Sequence, residues 1–319
     1  MLWSCGVAIV LALIASKLFT DGTMALSNIR SLYGGLDVKM QDKCALVVGG
    51  TGGIGKGIAL RLAKARVSVT IVGRNHVRGA QVVEEMGALS GPDATHRFIA
   101  CDAMLLANVP ECVRTYKEAN DKLDYLVLTQ GIATIQGRTE TAEGLDEKLA
   151  VHVYSRMAFV DHLLPLLRRA AGTPRVLSVL SGGVHGPYAG YREDPDLREN
   201  YSIKNAADIA GFYNDLCLDS FAKENPSISF VHISPGFVNS NWGAQMPFWL
   251  RFPIRCLQPL GRSIHTCAEY LVEPLLNPAT PPGFAARGDK AQEVGVTSLH
   301  EEARPFVWER VREILDQYK

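Results

Sequence analysis

Apolar positions along this chain alternate between short unbroken runs and longer stretches with a three- and four-residue beat. The runs at 44–48, 67–72, 96–101, 124–128, 175–180 and 228–233 are rich in Val, Ile and Leu, as strands of a parallel sheet buried on both faces are. Between them lie segments predicted as helices, at 54–65, 77–89, 104–119, 142–170 and 201–223. In the longest, Leu145, Leu149, Val153, Met157, Val160, Leu164 and Leu167 recur at steps of three and four and mark one apolar helix face. Strict alternation of strand and helix predicts an α/β fold, a doubly wound parallel sheet with helices on both faces. Ligands of such sheets lie at the carboxyl ends of the strands. The stretch 182–200 is expected to be a long loop, and 237–261, rich in aromatics and prolines, a mobile cover over a substrate. Pro281 and Pro282 precede what reads as a short irregular tail, and a closing helix is expected over 301–318.

The first predicted strand runs straight into glycines. Residues 44–60 read CALVVGGTGGIGKGIAL, with Gly49, Gly53 and Gly55 between the strand and the next helix. Small residues there let backbone approach a pyrophosphate, and the new helix points unpaired N–H groups and its positive dipole end at the anion. Thr51 and Ile54 belong to the same loop. A glycine-rich turn of this kind also serves any tight strand-to-helix connection.

The first twenty residues have another pattern. From Leu2 to Ser16 the chain is almost wholly apolar and uncharged, and Lys17 ends the run. That is short for a bilayer span, and no basic segment precedes it. Residues 1–22 therefore read as a signal anchor or membrane hairpin, as a cleaved signal peptide, or as an extension of a soluble protein starting at Met24. Lys17, Arg30 and Lys39 after the run favour a cytosolic location for the rest of the chain.

Lys plus Arg and Asp plus Glu each number 33, which gives no reason to expect nucleic acid as a partner. The seven cysteines include no Cys-x-x-Cys pair and no metal-type spacing. They suit a reducing compartment better than a disulfide framework, and no metal centre is expected.

Over 42–318 the chain resembles the short-chain dehydrogenase/reductase family. The glycine loop, Gly-Arg-Asn after the second strand, Cys-Asp after the third, Gly131 after the fourth, Ser181 ending the fifth, Tyr201 and Lys204, and Ser234-Pro235-Gly236 after the sixth match in order. The resemblance implies a single Rossmann-type domain over 42–319 with a substrate lobe at 237–276. It also implies hydride transfer between a nicotinamide and a carbonyl or alcohol carbon, and dimerisation through the 142–170 and 201–223 helices. Tyr201 would be the acid/base, Ser181 the hydroxyl that orients the substrate oxygen, and Lys204 the cation that eases ionisation of the phenol. A free tyrosine titrates near about 10, so acting at neutral pH takes a shift of about three units, roughly 4 kcal/mol. Gly49, Thr51, Gly53, Ile54, Gly55, Gly131, Pro235, Gly236 and Val238 would hold the dinucleotide. Arg74 stands where an acidic residue would bond a ribose 2′-hydroxyl, and an arginine pairs a 2′-phosphate instead, so NADP(H) is expected over NAD. Asp102 resembles the acceptor for the adenine amine and reads equally well as a cap of the 104–119 helix.

The departures from the family pattern are specific. Lys204 is three residues after Tyr201, and Asn205 holds the fourth position where the family has lysine. On a helix this turns Lys204 by about 100° from its expected direction, a displacement that its flexible stem or a bulge before the helix would make good. His152 stands where the family offers a relay asparagine; it reads as a proton relay or as a packed histidine. The Asn-Asn-Ala-Gly usual after the fourth strand reads Leu128-Thr129-Gln130-Gly131 here, so Leu128 and Thr129 stand for the two asparagines. His185, in the long loop, reads as a surface residue. Phe237, Trp242, Phe248, Trp249 and Phe252 read as an apolar pocket cover or as core.

These residues leave two functions open. The first is an NADP-dependent reductase or dehydrogenase of the retinol-dehydrogenase-like branch, acting on a lipophilic carbonyl or alcohol. It would be held at the endoplasmic reticulum or a lipid droplet with its catalytic domain in the cytosol, or be soluble in the cytoplasm. The second is a catalytically weakened relative that binds NADP as a sensor or interaction protein.

Overall fold

The computed structural model of the protein describes residues 26–35, 40–92, 94–240, 243 and 246–319. The apolar segment at 1–22, Lys39 and Trp242 lie outside them. Among the described residues no helix is long and apolar enough to cross a membrane.

An eight-stranded sheet runs through the molecule in the order β3-β2-β1-β4-β5-β6-β7-β8. Its strands are β1 Cys44–Val48, β2 Ser68–Gly73, β3 Arg97–Ala100, β4 Tyr125–Leu128, β5 Arg175–Val179, β6 Ser229–Ile233, β7 Gly283–Arg287 and β8 Glu293–Val294. All pairings are parallel except the last, where Ala286 and Arg287 face Val294 and Glu293. The order reverses between β1 and β4, so a crevice opens at their carboxyl ends. Helices α1 Gly53–Lys64, α2 His76–Ser90 and α7 Ile264–Leu271 cover one face, whose core includes Val47, Ile71, Leu62 and Leu271. Helices α3 Val109–Ala119, α4 Ser155–Leu167, α5 Ile203–Glu224 and α8 Ser298–Leu315 cover the other, around Leu46, Leu126, Phe159 and Phe212.

The chain departs from the sequence pattern in four places. The predicted 142–170 helix starts later, at a short turn Glu147–Leu149 capped by Asp146, widens into a π turn over Ala150–Tyr154, and then continues as α4. The expected irregular tail instead supplies β7, which pairs with β6 in full register although its Gly-Phe-Ala-Ala-Arg sequence has no β-branched residue. Tertiary pairing overrides weak strand propensity there. Within the expected substrate lobe, α7 belongs to the core: a Cβ on Gly57 of α1 would lie 2.4 Å from Ile264 Cγ2. In α6, Phe248–Leu257, Ile254 is buried while Phe248, Trp249 and Phe252 are exposed. Lastly, a short helix at Leu26–Ser31 docks through buried Ile29 and Tyr33, whose hydroxyl donates to Glu269 of α7.

Candidate functional site

At the carboxyl ends of β1, β2 and β4 lies a cavity of ≈ 340 Å³, lined by Gly49, Thr51, Gly52, Gly53, Ile54 and Gly55 on one side. Val72, Arg74, Asp102, Thr129, Gly131 and Ser240 also reach it. Gly52 caps α1 without any side-chain hydrogen bond, so the first-turn N–H groups stay open to an anion. The glycines have separate reasons to be there. Gly49 and Gly53 have φ of 84° and 54°, backbone that favours glycine. A Cβ on Gly55 would lie 2.4 Å from Thr129 Oγ1 and 2.5 Å from the Gly49 carbonyl. Thr129 Oγ1 in turn donates to the Val48 carbonyl at 2.7 Å and pins β4 to the end of β1. The cradle fits a dinucleotide pyrophosphate: open first-turn amides, and glycine at 49 and 55 where a Cβ would clash with Thr129.

Arg74 follows β2 at the rim of the cavity, 59% exposed, with its nearest anion Asp102 at 3.9 Å. Asp102 meanwhile accepts from the Met104 amide at 3.2 Å, a local turn contact and not a helix cap, since a short 3-10 turn begins only at Leu106 and α3 at Val109, with Asn108 at its cap; it lines the cavity as well. Pro235 and Gly236 follow β6. Gly236 has φ of 66°, and a Cβ there would lie 2.7 Å from Asp289 Oδ2. Arg262 holds that carboxylate at 2.7 Å. Val238 is buried and bridges to Arg262.

The expected Ser181–Tyr201–Lys204 arrangement is not assembled as the spacing implied. Ser202 caps α5, its hydroxyl accepting from the Asn205 amide, and the helix begins at Ile203. Tyr201 therefore precedes the helix, and three-versus-four spacing on a helix surface does not govern it. Lys204 is a correction: its side chain is 81% exposed and pairs with Asp208, one turn along α5. Asn205 does not replace it; its amide bonds the Asn200 carbonyl. The cation at the phenol is Lys148, which the sequence reading missed. Its Nζ donates to Tyr201 Oη at 2.8 Å and to the Gln136 carbonyl at 3.0 Å. Burial, followed by Asp146, pushes the Tyr201 phenol up to about 12, and burial pushes the Lys148 amine down. Both shifts oppose an ammonium–phenolate pair, because desolvation outweighs the local attraction. Tyr201 is thus held protonated at neutral pH.

Ser181 lies further along. The residue of α5 facing it is Gly211, where a Cβ would sit 2.5 Å from Ser181 Oγ and 2.3 Å from the His185 ring. From Ile203 to Gly211 the axis advances about 12 Å. The side chain beside the Ser181 hydroxyl is His185, with Nδ1 at 3.5 Å. His185 is also a correction. It is not a surface residue: its side chain is 5% exposed and its Nε2 lies 3.1 Å from Asp215 Oδ2.

His152 lies behind Gly131. Its Nε2 accepts from the Ile132 amide at 3.1 Å, and a Cβ on Gly131 would come within 2.8 Å of the ring. Burial and then the positive charges of Arg156 and Lys148 lower its pKa to about 3, so it is a neutral, packed histidine. The π turn leaves its carbonyl to accept from Asn214 at 2.7 Å. Asn214 Oδ1 accepts from Ser178, and Ser178 accepts from the buried Arg156 guanidinium, both at 2.7 Å. No local signal in the sequence connects those four residues.

The sequence model for short chain dehydrogenases matches residues 43–247. The oxidoreductase AN1596 of Emericella nidulans is 36% identical over 68% of this chain and 65% of its own length. The short-chain dehydrogenase/reductase SAT2 of Stachybotrys chartarum is 32% identical over 70% of this chain and 69% of its own. The matches take in just under two thirds of AN1596, and 59% and 64% of the oxidoreductases notO and andH. Among solved structures, an alcohol dehydrogenase from Thermococcus sibiricus, in complex with 5-hydroxy-NADP, superposes on 80% of this chain and 99% of its own with a TM-score of 0.59 at 20% identity. That likeness is one of fold. With the family model covering most of the sheet and the glycine cradle in place, the chain belongs to the short-chain dehydrogenase/reductase family.

Proposed function

We propose that the chain is an NADP(H)-dependent oxidoreductase that interconverts a carbonyl and an alcohol on a lipophilic small molecule. One observation carries this reading. A crevice at the sheet's reversal point offers unpaired first-turn amides at Gly53–Gly55 and, at its rim, the exposed guanidinium of Arg74. Gly49, Thr51, Gly53, Ile54, Gly55 and Gly131 would hold the pyrophosphate side, Asp102 the adenine, Arg74 the 2′-phosphate, and Pro235, Gly236 and Val238 the nicotinamide side. When bound, the cofactor supplies or takes up a hydride. Ser181, half-buried two residues after β5, would hold the substrate oxygen.

A lipophilic substrate is supported by α6. Phe248, Trp249 and Phe252 are 70%, 56% and 60% exposed, so core packing does not account for them, and they follow Ser240 by eight to twelve residues in the chain. A relative named polyprenol dehydrogenase, from mouse, is 30% identical over 53% of this chain and 50% of its own, in keeping with an apolar substrate. The test is oxidation of NADPH, monitored by absorbance, with aliphatic aldehydes, a retinoid aldehyde and steroid ketones. Turnover with apolar carbonyls is expected; tight NADPH binding with no turnover on any carbonyl would overturn the redox reading.

A second reading, an NADP-binding protein without turnover, is favoured by one set of observations. Lys204 is turned to solvent, and Tyr201 is held protonated. Lys148 beside Tyr201 and His185 beside Ser181 supply basic groups that the sequence alone did not place there, and they weigh toward the enzyme.

A further inference from the structure

Four side chains from four parts of the fold meet behind Ser181. His185 comes from the loop after β5, Asp215 from α5, His232 from β6 and His300 from α8. All are buried, and the carboxylate of Asp215 is their common centre. His232 Nδ1 lies 2.6 Å from Oδ1, and His185 and His300 Nε2 lie 3.1 Å and 3.3 Å from Oδ2.

The backbone decides which nitrogens carry protons. The Ser181 amide donates to His232 Nε2 at 3.1 Å. That nitrogen is therefore bare, and the ring's single proton is on Nδ1, aimed at Asp215. The Thr297 amide donates to His300 Nδ1 at 3.0 Å, so His300 is likewise neutral, with its proton on Nε2. His185 differs. Its Nδ1 faces the Ser181 carbonyl at 2.9 Å, and its Nε2 faces Asp215. Both partners are acceptors, and satisfying both takes two N–H groups, an imidazolium. Asp215 compensates the charge, and Asp208 on α5 adds to the negative field while binding the Gly186 amide at 3.0 Å. These ligating atoms of His185, Asp215 and His232 lie within 4.8 Å of one another, and the hydrogen bonds account for each ring nitrogen in the group without a further ligand.

We propose that His185, charge-paired with Asp215, is the proton source for the Ser181 hydroxyl and takes the part that the family pattern gives to a tyrosine. The proposal rests on the redox reading. In the reducing direction the carbonyl carbon takes hydride from the reduced nicotinamide, and the carbonyl π bond breaks. Ser181 Oγ gives its proton to the new alcohol oxygen and is reprotonated from His185 Nδ1, 3.5 Å away. His185 is left neutral, still donating from Nε2 to Asp215, and water restores its proton; the oxidised nicotinamide is the other product. In the oxidising direction neutral His185 takes the proton back. His185 acts through Ser181 and is a positioning and relay residue. An imidazole needs far less adjustment for this task at neutral pH than a phenol does. Burial opposes its charged form, yet Asp215 and then the Ser181 carbonyl leave its pKa raised above the ordinary value.

The test reads protons directly. The full chain is labelled with 15N-histidine, treated with EDTA, and its ring nitrogens are monitored by long-range 1H–15N spectra from pH 5 to 9. Signals are assigned with His185→Gln, His232→Gln and His300→Gln. At pH 7 one histidine is expected to be doubly protonated, missing in His185→Gln, while His232 and His300 are neutral as the Nδ1-H and Nε2-H tautomers. Asp215→Asn should lower the His185 titration by about 1–3 units. In parallel, the rate of NADPH oxidation with decanal is measured against pH. Wild-type kcat should fall as pH rises through the His185 titration. His185→Gln should lose that limb and about 10²–10⁴ in kcat with KM little changed, and Tyr201→Phe should keep it. A neutral His185 at pH 7 in an active enzyme overturns the proposal, as does a pH limb that tracks Tyr201 and survives in His185→Gln. The wild-type spectrum decides the first point even if a variant does not fold. A doubly protonated His185 in a protein that turns over no carbonyl overturns the redox reading, and the relay with it.

Discussion

At the residue scale the charges around the cleft differ in burial, and burial decides what each is worth. Lys204 is almost free in solvent, and exposed pairs contribute about 0–1 kcal/mol. Lys204→Ala should therefore leave both thermal stability and NADPH oxidation within error of wild type; a large loss of turnover would restore it to the site. Asp215 is the opposite case. Asp215→Asn removes the anion that three imidazoles share and forces His185 to give up its proton or stay charged without a partner, which should cost about 3–5 kcal/mol in denaturant unfolding. A cost below about 1 kcal/mol would mean that the charge is not there. His152 gives a pH dependence with a definite sign. Its folded pKa, about 3, is below the ordinary 6.5. As pH falls below 6.5 the unfolded chain takes up a proton that the folded chain refuses, so stability falls, by about 1.4 kcal/mol per unit for this one group. The loss continues until pH nears the folded value. His152→Gln should make the acid side of the stability curve shallower, and an unchanged slope would count against a neutral buried ring.

At the element scale, what could be read from the sequence depended on how local each signal was. The strands β1 to β6 were legible because a strand buried on both faces must be continuously apolar, and the glycine loop because its geometry is fixed by residues a few positions apart. The start of α5 was not. Tyr201, Ser202 and Lys204 all fit a helix on spacing, and only the Ser202 cap, accepting from the Asn205 amide, ends it before the tyrosine. One residue of cap moved a proposed catalytic lysine to the surface. Strand β7 was missed for the converse reason: its own residues carry no strand signal, and β6 supplies it. The Ser181–His185–Asp215 contacts join a loop to a helix and could not be read from local pattern at all. Gly211 now gives that region a test. Gly211→Ala places a methyl against the His185 ring and Ser181 Oγ, and overpacking of this kind costs about 1–3 kcal/mol. Turnover should fall more than NADPH affinity does, since the cradle lies on other strands. An equal fall in both would mean that the two halves of the cleft are not independent.

At the scale of the whole molecule, the sheet separates two tasks. The β1–β2–β4 ends hold the nucleotide cradle, while β6, α8 and the loop after β5 carry Ser181 and the histidines behind it, around Asp215 of α5. Aromatics on α6 lie outside both, where an apolar substrate would be covered. If residues 1–22 anchor the chain, deleting them should release it from membranes with its far-ultraviolet circular dichroism unchanged; continued pelleting with membranes would shift the anchor to a surface such as that of α6.

The claim on which the rest depends is that the crevice takes a 2′-phosphorylated dinucleotide. Titration calorimetry of the full chain with NADPH and NADH, repeated on Arg74→Ala, tests it most directly. NADPH should bind more tightly than NADH, and Arg74→Ala should weaken NADPH alone, by about 10–100-fold for the lost charge-assisted pair. Equal binding of the two nucleotides by wild type, or an equal loss of both in the variant, would contradict it.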